Sequence, residues 1–178
     1  MKTFSYPRFF YTVLLLIFLS SASVWAQDGG RNKAVYAEAL GSGITLSLNY
    51  DFRFKPTQDG LGMRIGVGGG SFSDTNSDAK AGIVTMPVLV DYLVGQRRVA
   101  FEAGAGLTLV YINVSGTDAV SGELLSGKGF GFMGTFNTGL RLQPVRNGVV
   151  FRLNWSPAIS NAGFQANWLG LSLGYAFK

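Results

Sequence analysis

The sequence predicts an all-β protein, an eight-stranded antiparallel up-and-down transmembrane β-barrel, on three observations. The first is the stretch Asn167–Lys178, in which Leu169, Leu171, Leu173, Tyr175 and Phe177 alternate with Gly170, Ser172, Gly174 and Ala176. This is the period of an extended strand, with large side chains on one face and a nearly bare second face. A strand with lipid on one side and a crowded barrel interior on the other has this pattern. The second is that seven further segments repeat the alternation. The third is that no apolar run reaches the ~20 residues a spanning helix needs, so a chain that sits in a membrane must do so as a closed barrel.

Composition bounds the chemistry. The chain has 178 residues, 25 of them Gly, only 14% charged, with no Cys and no His. Disulfides, thiolate metal sites and a lipid-modified N-terminal Cys are thereby excluded, and the commonest general base is missing. Residues 1–26 read as a cleaved signal peptide: Lys2 and Arg8 lead, Val13–Leu19 is continuously apolar, and the exit ends in Val24-Trp25-Ala26. The remaining 27–178 form one barrel domain. Without Lys2 and Arg8 the formal charge falls from +5 to +3, scattered, with no basic run to hold nucleic acid.

The segments follow in order. Gln27–Asn32 is a lead. Lys33–Gly41 is a first strand with a muddled pattern (Val35, Ala37 and Ala39 against Tyr36, Glu38 and Leu40), and Ser42-Gly43 is a tight turn. Ile44–Phe54 alternates cleanly, with Ile44, Leu46, Leu48, Tyr50, Phe52 and Phe54 outward and Thr45, Ser47, Asn49, Asp51 and Arg53 inward. After the turn Lys55–Gly60, Leu61–Gly70 puts Arg64 and several glycines inward. Ser71–Lys80 reads as a polar loop. Ala81–Val94 is interrupted by Pro87, where a bulge or distortion is expected because Pro has no N–H to donate. Gly95–Arg98 is a hairpin turn, Val99–Asn113 a strand, and Val114–Gly127 the longest loop. Lys128–Gln143, Val149–Ser156 and Phe164–Lys178 complete the eight, joined by a turn at Pro144–Gly148 and a loop at Pro157–Gly163.

Short connections after strands two, four and six and longer ones after three and five suit periplasmic turns and outer loops, with both termini periplasmic. Aromatics fall in two bands, as interfacial girdles do. Tyr50, Phe52, Phe54, Tyr92, Phe101, Phe151, Tyr175 and Phe177 lie near the short-turn ends. Tyr111, Phe130, Phe132 and Trp155 lie near the long-loop ends. A soluble barrel or sandwich with these rings inside is the competing architecture; it would need outward charges at many more positions.

On the signal peptide, the eight alternating segments and the closing strand ending Tyr175-Ala176-Phe177, the chain resembles the small OmpA/OmpX-type outer-membrane barrels. The resemblance implies a monomer in outer-membrane lipid and lipopolysaccharide. It also implies that the terminal strand, Leu169, Leu171, Leu173, Tyr175 and Phe177, is read by the barrel assembly machinery. Here Lys178 follows, so the aromatic is penultimate.

The inward face carries Glu38, Asp51, Asp91 and Glu102 with Arg53, Arg64, Arg141 and Arg152. Turn lengths place Asp51 opposite Arg64, Asp91 opposite Glu102, and Arg141 opposite Arg152, in a belt near the short turns. An eight-stranded interior is just wide enough for side chains, and buried charges need partners. The expectation is an ion-pair network that plugs the lumen. The alternatives are a gate or narrow polar pore, and a proton shared between Asp91 and Glu102. Some small outer-membrane barrels modify lipid A with His and Ser; without His that chemistry does not transfer, and no enzyme is expected. Gly66–Gly70 lacks the Lys-Ser/Thr of a phosphate loop and reads as relief of lumenal crowding. Asp74, Asp78, Asp118 and Glu123 read as solvated loop charges, with a divalent cation or lipopolysaccharide as the alternative. No cofactor or metal is expected. Any outside ligand would meet loops 71–80 and 114–127. The functional reading is a non-enzymatic outer-membrane barrel with a structural or surface-interaction role; the runner-up is a small gated channel.

Overall fold

The computed structural model describes residues 32–73, 79–117, 124–143 and 147–178. The signal peptide read at 1–26, the lead as far as 31, and the loop acids Asp74, Asp78, Asp118 and Glu123 lie outside the described residues. Among the described residues there are ten strands: β1 (Lys33–Leu40), β2 (Leu46–Arg53), β3 (Gly60–Ser73), β4 (Lys80–Val94), β5 (Val99–Thr117), β6 (Leu124–Leu142), β7 (Gly148–Trp155), the short β8 (Ala158–Ser160) and β9 (Gly163–Gln165), and β10 (Leu169–Phe177). β1–β7 and β10 form a closed eight-stranded antiparallel barrel, sealed where β1 pairs with β10 from Lys33↔Phe177 to Leu40↔Gly170.

The alternation decides which face meets what. Along β10, Leu169, Leu171, Leu173 and Tyr175 are exposed while Gly170, Ser172 and Ala176 are buried. The same parity puts Leu46, Leu48 and Tyr50 outside on β2, with Ser47, Asn49, Asp51 and Arg53 buried. β1 resolves the same way: Ala34, Tyr36 and Glu38 point inward. The apolar surface that a soluble protein would bury therefore faces out, and polar side chains fill the interior.

Several expectations are corrected, and one, the distortion at Pro87, is met. Ser71–Lys80 and Val114–Gly127 are not loops throughout. β3 runs to Ser73 and β4 starts at Lys80, while β5 runs to Thr117 and β6 starts at Leu124, paired through Thr117↔Leu124. Ile112 and Val114 are β-branched and favour extended backbone, although they lie on the face opposite Tyr111, and the ladder to β4 and β6 satisfies the backbone there. Pro157–Gly163 and the start of the last segment instead make the β8–β9 hairpin, which turns at Asn161-Ala162 and enters β9 at Gly163 with φ +112°. At Pro87 there is a distortion without a bulge: Gly66 and Val67 drop out of the β3–β4 ladder, yet Ile65↔Val88 and Gly68↔Thr85 share one register. Ser42-Gly43 is no simple turn, as set out below.

Strand length is uneven. β5 and β6 have 19 residues each against 8 in β1, β2 and β7, whereas about 9–11 residues cross a bilayer. β6 pairs with β7 only over Thr138–Leu142 and with β8 at Gly134 and Thr135. Among the described residues its remaining length has β5 alone as neighbour. The β5–β6 hairpin thus projects as a ribbon past the end of β7, backed by β4 as far as Lys80↔Ser115 and open along the β6 edge, with residues 111–115 and 126–132 exposed on both faces.

Candidate functional site

All eight lumenal charges are buried, each at most 4% exposed, and they form two connected tiers. Nearer the short turns, Arg53 Nη2 meets Asp51 Oδ1 at 2.7 Å and Asp91 Oδ2 at 2.6 Å. Arg141 Nη1 meets Asp51 Oδ2 at 3.2 Å, and its Nε donates to Gln143 Oε1 at 2.7 Å. In the second tier Arg64 Nη1 reaches Glu38 Oε2 at 2.9 Å. Arg152 pairs with Glu102 through two nitrogens, Nε to Oε2 at 3.1 Å and Nη2 to Oε1, and reaches Glu38 at 3.5 Å. Arg141 to Glu102, at 3.8 Å, links the tiers. Arg152 also lies 4.3 Å above the Tyr36 ring, a favourable place for a cation.

The hairpin arithmetic is partly right. Asp51 faces Arg64 and Arg141 faces Arg152 across their ladders. Asp91, however, faces Gly104, and Glu102 faces Leu93. Gly95 sits at φ +122° and opens a wider turn than four residues allow, which shifts the pairing by two. Facing positions also do not dictate partners: Arg64 bypasses Asp51 for Glu38, because long guanidinium side chains reach across a narrow lumen.

Sequence reasoning missed the residues around this network. Tyr36, Leu89 and Leu93 fill the interior. More consequentially, the β1–β2 connection folds inward: Gly41, Ser42 and Gly43 form a 3-10 turn, all three buried. Thr85 and Thr108, from the far wall, donate to the carbonyls of Gly43 and Ser42, each at 2.8 Å. Trp168 Nε1 donates to the Gly41 carbonyl at 2.7 Å. Glu38 Oε1 accepts from the Ser42 N–H at 3.1 Å, and Arg64 Nη2 donates to Ser42 Oγ at 2.8 Å. The available signal was that this connection, at the end where the others are long, holds only Gly and Ser.

Of the aromatics read as girdles, Phe54, Tyr92 and Phe101 are exposed near the short turns, with Tyr50, Phe151 and Tyr175, while Phe52 and Phe177 are half-buried. Tyr111, Phe130, Phe132 and Trp155 are exposed toward the other end, with Tyr111 facing Phe130 across the ribbon. No group of His, Cys, Asp and Glu suited to a metal ion occurs among the described residues.

No family model matches the sequence, and no curated protein matches it. Solved structures do resemble it. A major outer membrane protein from Thermus thermophilus aligns with TM-score 0.56 at 15% identity, over 83% of this chain and 99% of the other. The N-terminal β-barrel domain of Pseudomonas aeruginosa OprF gives 0.51 at 15% identity, over 84% and 100%. Ail, the attachment invasion locus protein of Yersinia pestis, gives 0.51 at 13% identity, over 83% and 98%. At such identities the likeness is one of fold. The chain has the OmpA/OmpX-type fold, the closed eight-stranded barrel of small outer-membrane proteins.

Proposed function

We propose that this chain is a non-enzymatic, monomeric barrel of the outer membrane that holds its lumen shut with ion pairs and presents the β5–β6 ribbon to partners outside the cell. The observation that carries the reading is the contrast between the two ends of β5. At Glu102 the strand belongs to a buried network of paired charges; from Tyr111 to Ser115 it runs on between β4 and β6 with both faces exposed. A lumen so filled favours anchoring over transport, and a projecting ribbon with an unpaired β6 edge favours recognition. The solved barrels of the same fold, an attachment invasion protein among them, support the location and the surface role. Outer-membrane lipid and lipopolysaccharide surround the exposed aliphatic face, and β10 is the strand offered to the barrel assembly machinery.

Single cysteines test the placement, because the native chain has none. With Ser126→Cys on the ribbon, a membrane-impermeant maleimide is expected to label intact cells; with Lys55→Cys in the β2–β3 turn it is expected to label only after the outer membrane is opened. Labelling of Lys55→Cys alone on intact cells overturns the orientation and with it the surface role.

A further inference from the structure

The charge tiers are not the whole of the closure. We propose that the β1–β2 connection is a movable lid, folded across the lumen and controlling entry of water and small uncharged solutes from the ribbon end. The inference extends the closed-lumen reading and shares only Glu38 and Arg64 with the charge network. Gly41-Ser42-Gly43 starts from β1 and reaches Thr85 on β4 and Thr108 on β5, the far wall of an eight-stranded barrel, so it spans the bore. The glycines are required: a Cβ on Gly41 would collide with the Glu38 carboxylate, one on Gly43 with the Ser47 side chain, and the lid lies so close to β10 that a Cβ on Gly170 would be 2.9 Å from the Gly41 Cα.

Two features mark the lid as poised rather than fixed. Its flanks are strained. Leu40 has φ 60° and ψ −133°, and Ile44 has φ 72° and ψ −58°, values that side chains with a Cβ rarely adopt. Ile44 is the centre of a three-residue turn closed by Thr45 N–H donating to the Gly43 carbonyl at 2.9 Å, a strained form of that turn. The hydrogen bonds from Thr85, Thr108, Trp168 and Arg64 and to Glu38 hold this strain in place. The other feature is the wall of β6, β7 and the residue after it. There Thr135 Oγ1, Asn137 Oδ1, both amide atoms of Asn154 and Ser156 Oγ are buried without a hydrogen-bond partner. Opening the lid releases the strain and lets water or a small neutral hydrogen-bonding solute reach these atoms, which offsets the bonds lost. The unpartnered atoms of this wall all belong to neutral side chains, and its arginines, Arg141 and Arg152, are already paired with carboxylates, so the admitted solute is neutral.

The lid also touches the charge network. Glu38 binds the Ser42 N–H with one oxygen and Arg64 and Arg152 with the other. Lid opening therefore loosens the second tier, while the first tier, through Asp51, Arg53 and Asp91, has no direct bond to it among the described residues.

The test uses Ser42→Cys as the only thiol in the refolded barrel, with Asn113→Cys on the exposed ribbon as reference and iodoacetamide, small and neutral, as the probe. Ser42→Cys is expected to react at least about a hundredfold more slowly than Asn113→Cys, since reaction needs local opening. Adding Thr85→Val and Thr108→Val removes two clips without changing side-chain shape and is expected to raise the Ser42→Cys rate about ten- to a hundredfold. Trp168→Phe, which deletes one donor from outside the barrel ladder, is expected to raise it by a smaller factor and serves if the double variant does not refold. Equal rates at Ser42→Cys and Asn113→Cys overturn the lid, as does a Ser42→Cys rate unmoved by variants that refold. Neither outcome depends on ion conductance or on which face of the membrane the ribbon occupies.

Discussion

Arg152 joins several parts of the interior, meeting Glu102, Glu38, Ser172 and the Tyr36 ring. Removing one member of a buried ion pair leaves an uncompensated charge, at a cost of about 3–5 kcal/mol, whereas removing both can be close to neutral. Urea unfolding in liposomes is therefore expected to show a loss of that size for Arg152→Met and a smaller loss for Arg152→Met combined with Glu102→Gln; additive losses would count against a coupled pair. Space is as restricted as charge. At Gly68 a Cβ would lie 2.7 Å from Thr85 Oγ1 and 2.8 Å from Ser47 Cβ. Gly68→Val is expected to destabilise the barrel by about 1–3 kcal/mol through overpacking, in the same unfolding assay. At this scale the sequence was legible for parity but not for partners: period 2 put Glu38 and Arg64 inside, yet nothing in their spacing says that Arg64 prefers Glu38 to the facing Asp51.

Among elements, β10 and the β5–β6 ribbon make opposite demands. The outward face of β10 meets lipid on the present reading, so Leu171→Arg is expected to cost about 2–4 kcal/mol near the midplane. Ser115→Arg on the ribbon lies in water and is expected to change stability by less than about 0.5 kcal/mol. Equal costs, measured by unfolding in the same liposomes, would place the ribbon within the lipid. The sequence foretold the strands because alternation registers directly as two unlike faces, and β2 and β10 have the clearest alternation. It misjudged the ends. Ser115, Gly116 and Gly127 look like loop residues when polarity is taken as the guide, but pairing of backbones past the barrel rim asks only for extended, partly β-branched chain. The lid was missed for a related reason: Gly-Ser-Gly suits a turn in either direction, and only the space around Thr85 and Thr108, set by strands distant in sequence, decides that it folds inward. The β4–β5 register was missed because one dihedral angle at Gly95 adds two residues to the turn.

For the whole molecule, the closed barrel follows from a sheet whose edges β1 and β10 pair with each other, leaving the bore as the remaining route through the membrane. On the proposed reading that bore is obstructed twice, by the paired charges and by the β1–β2 connection. The most direct test of the closed lumen is single-channel conductance of refolded residues 27–178 in planar bilayers. Wild type is run beside Arg141→Ala with Arg152→Ala, Thr85→Val with Thr108→Val, and all four substitutions together, each checked for strand content by circular dichroism. Wild type is expected to be silent and the fourfold variant to pass steady current, with each pair alone passing little because the other obstruction remains. Steady conductance through the unaltered chain would contradict the closed lumen and make the protein a small pore.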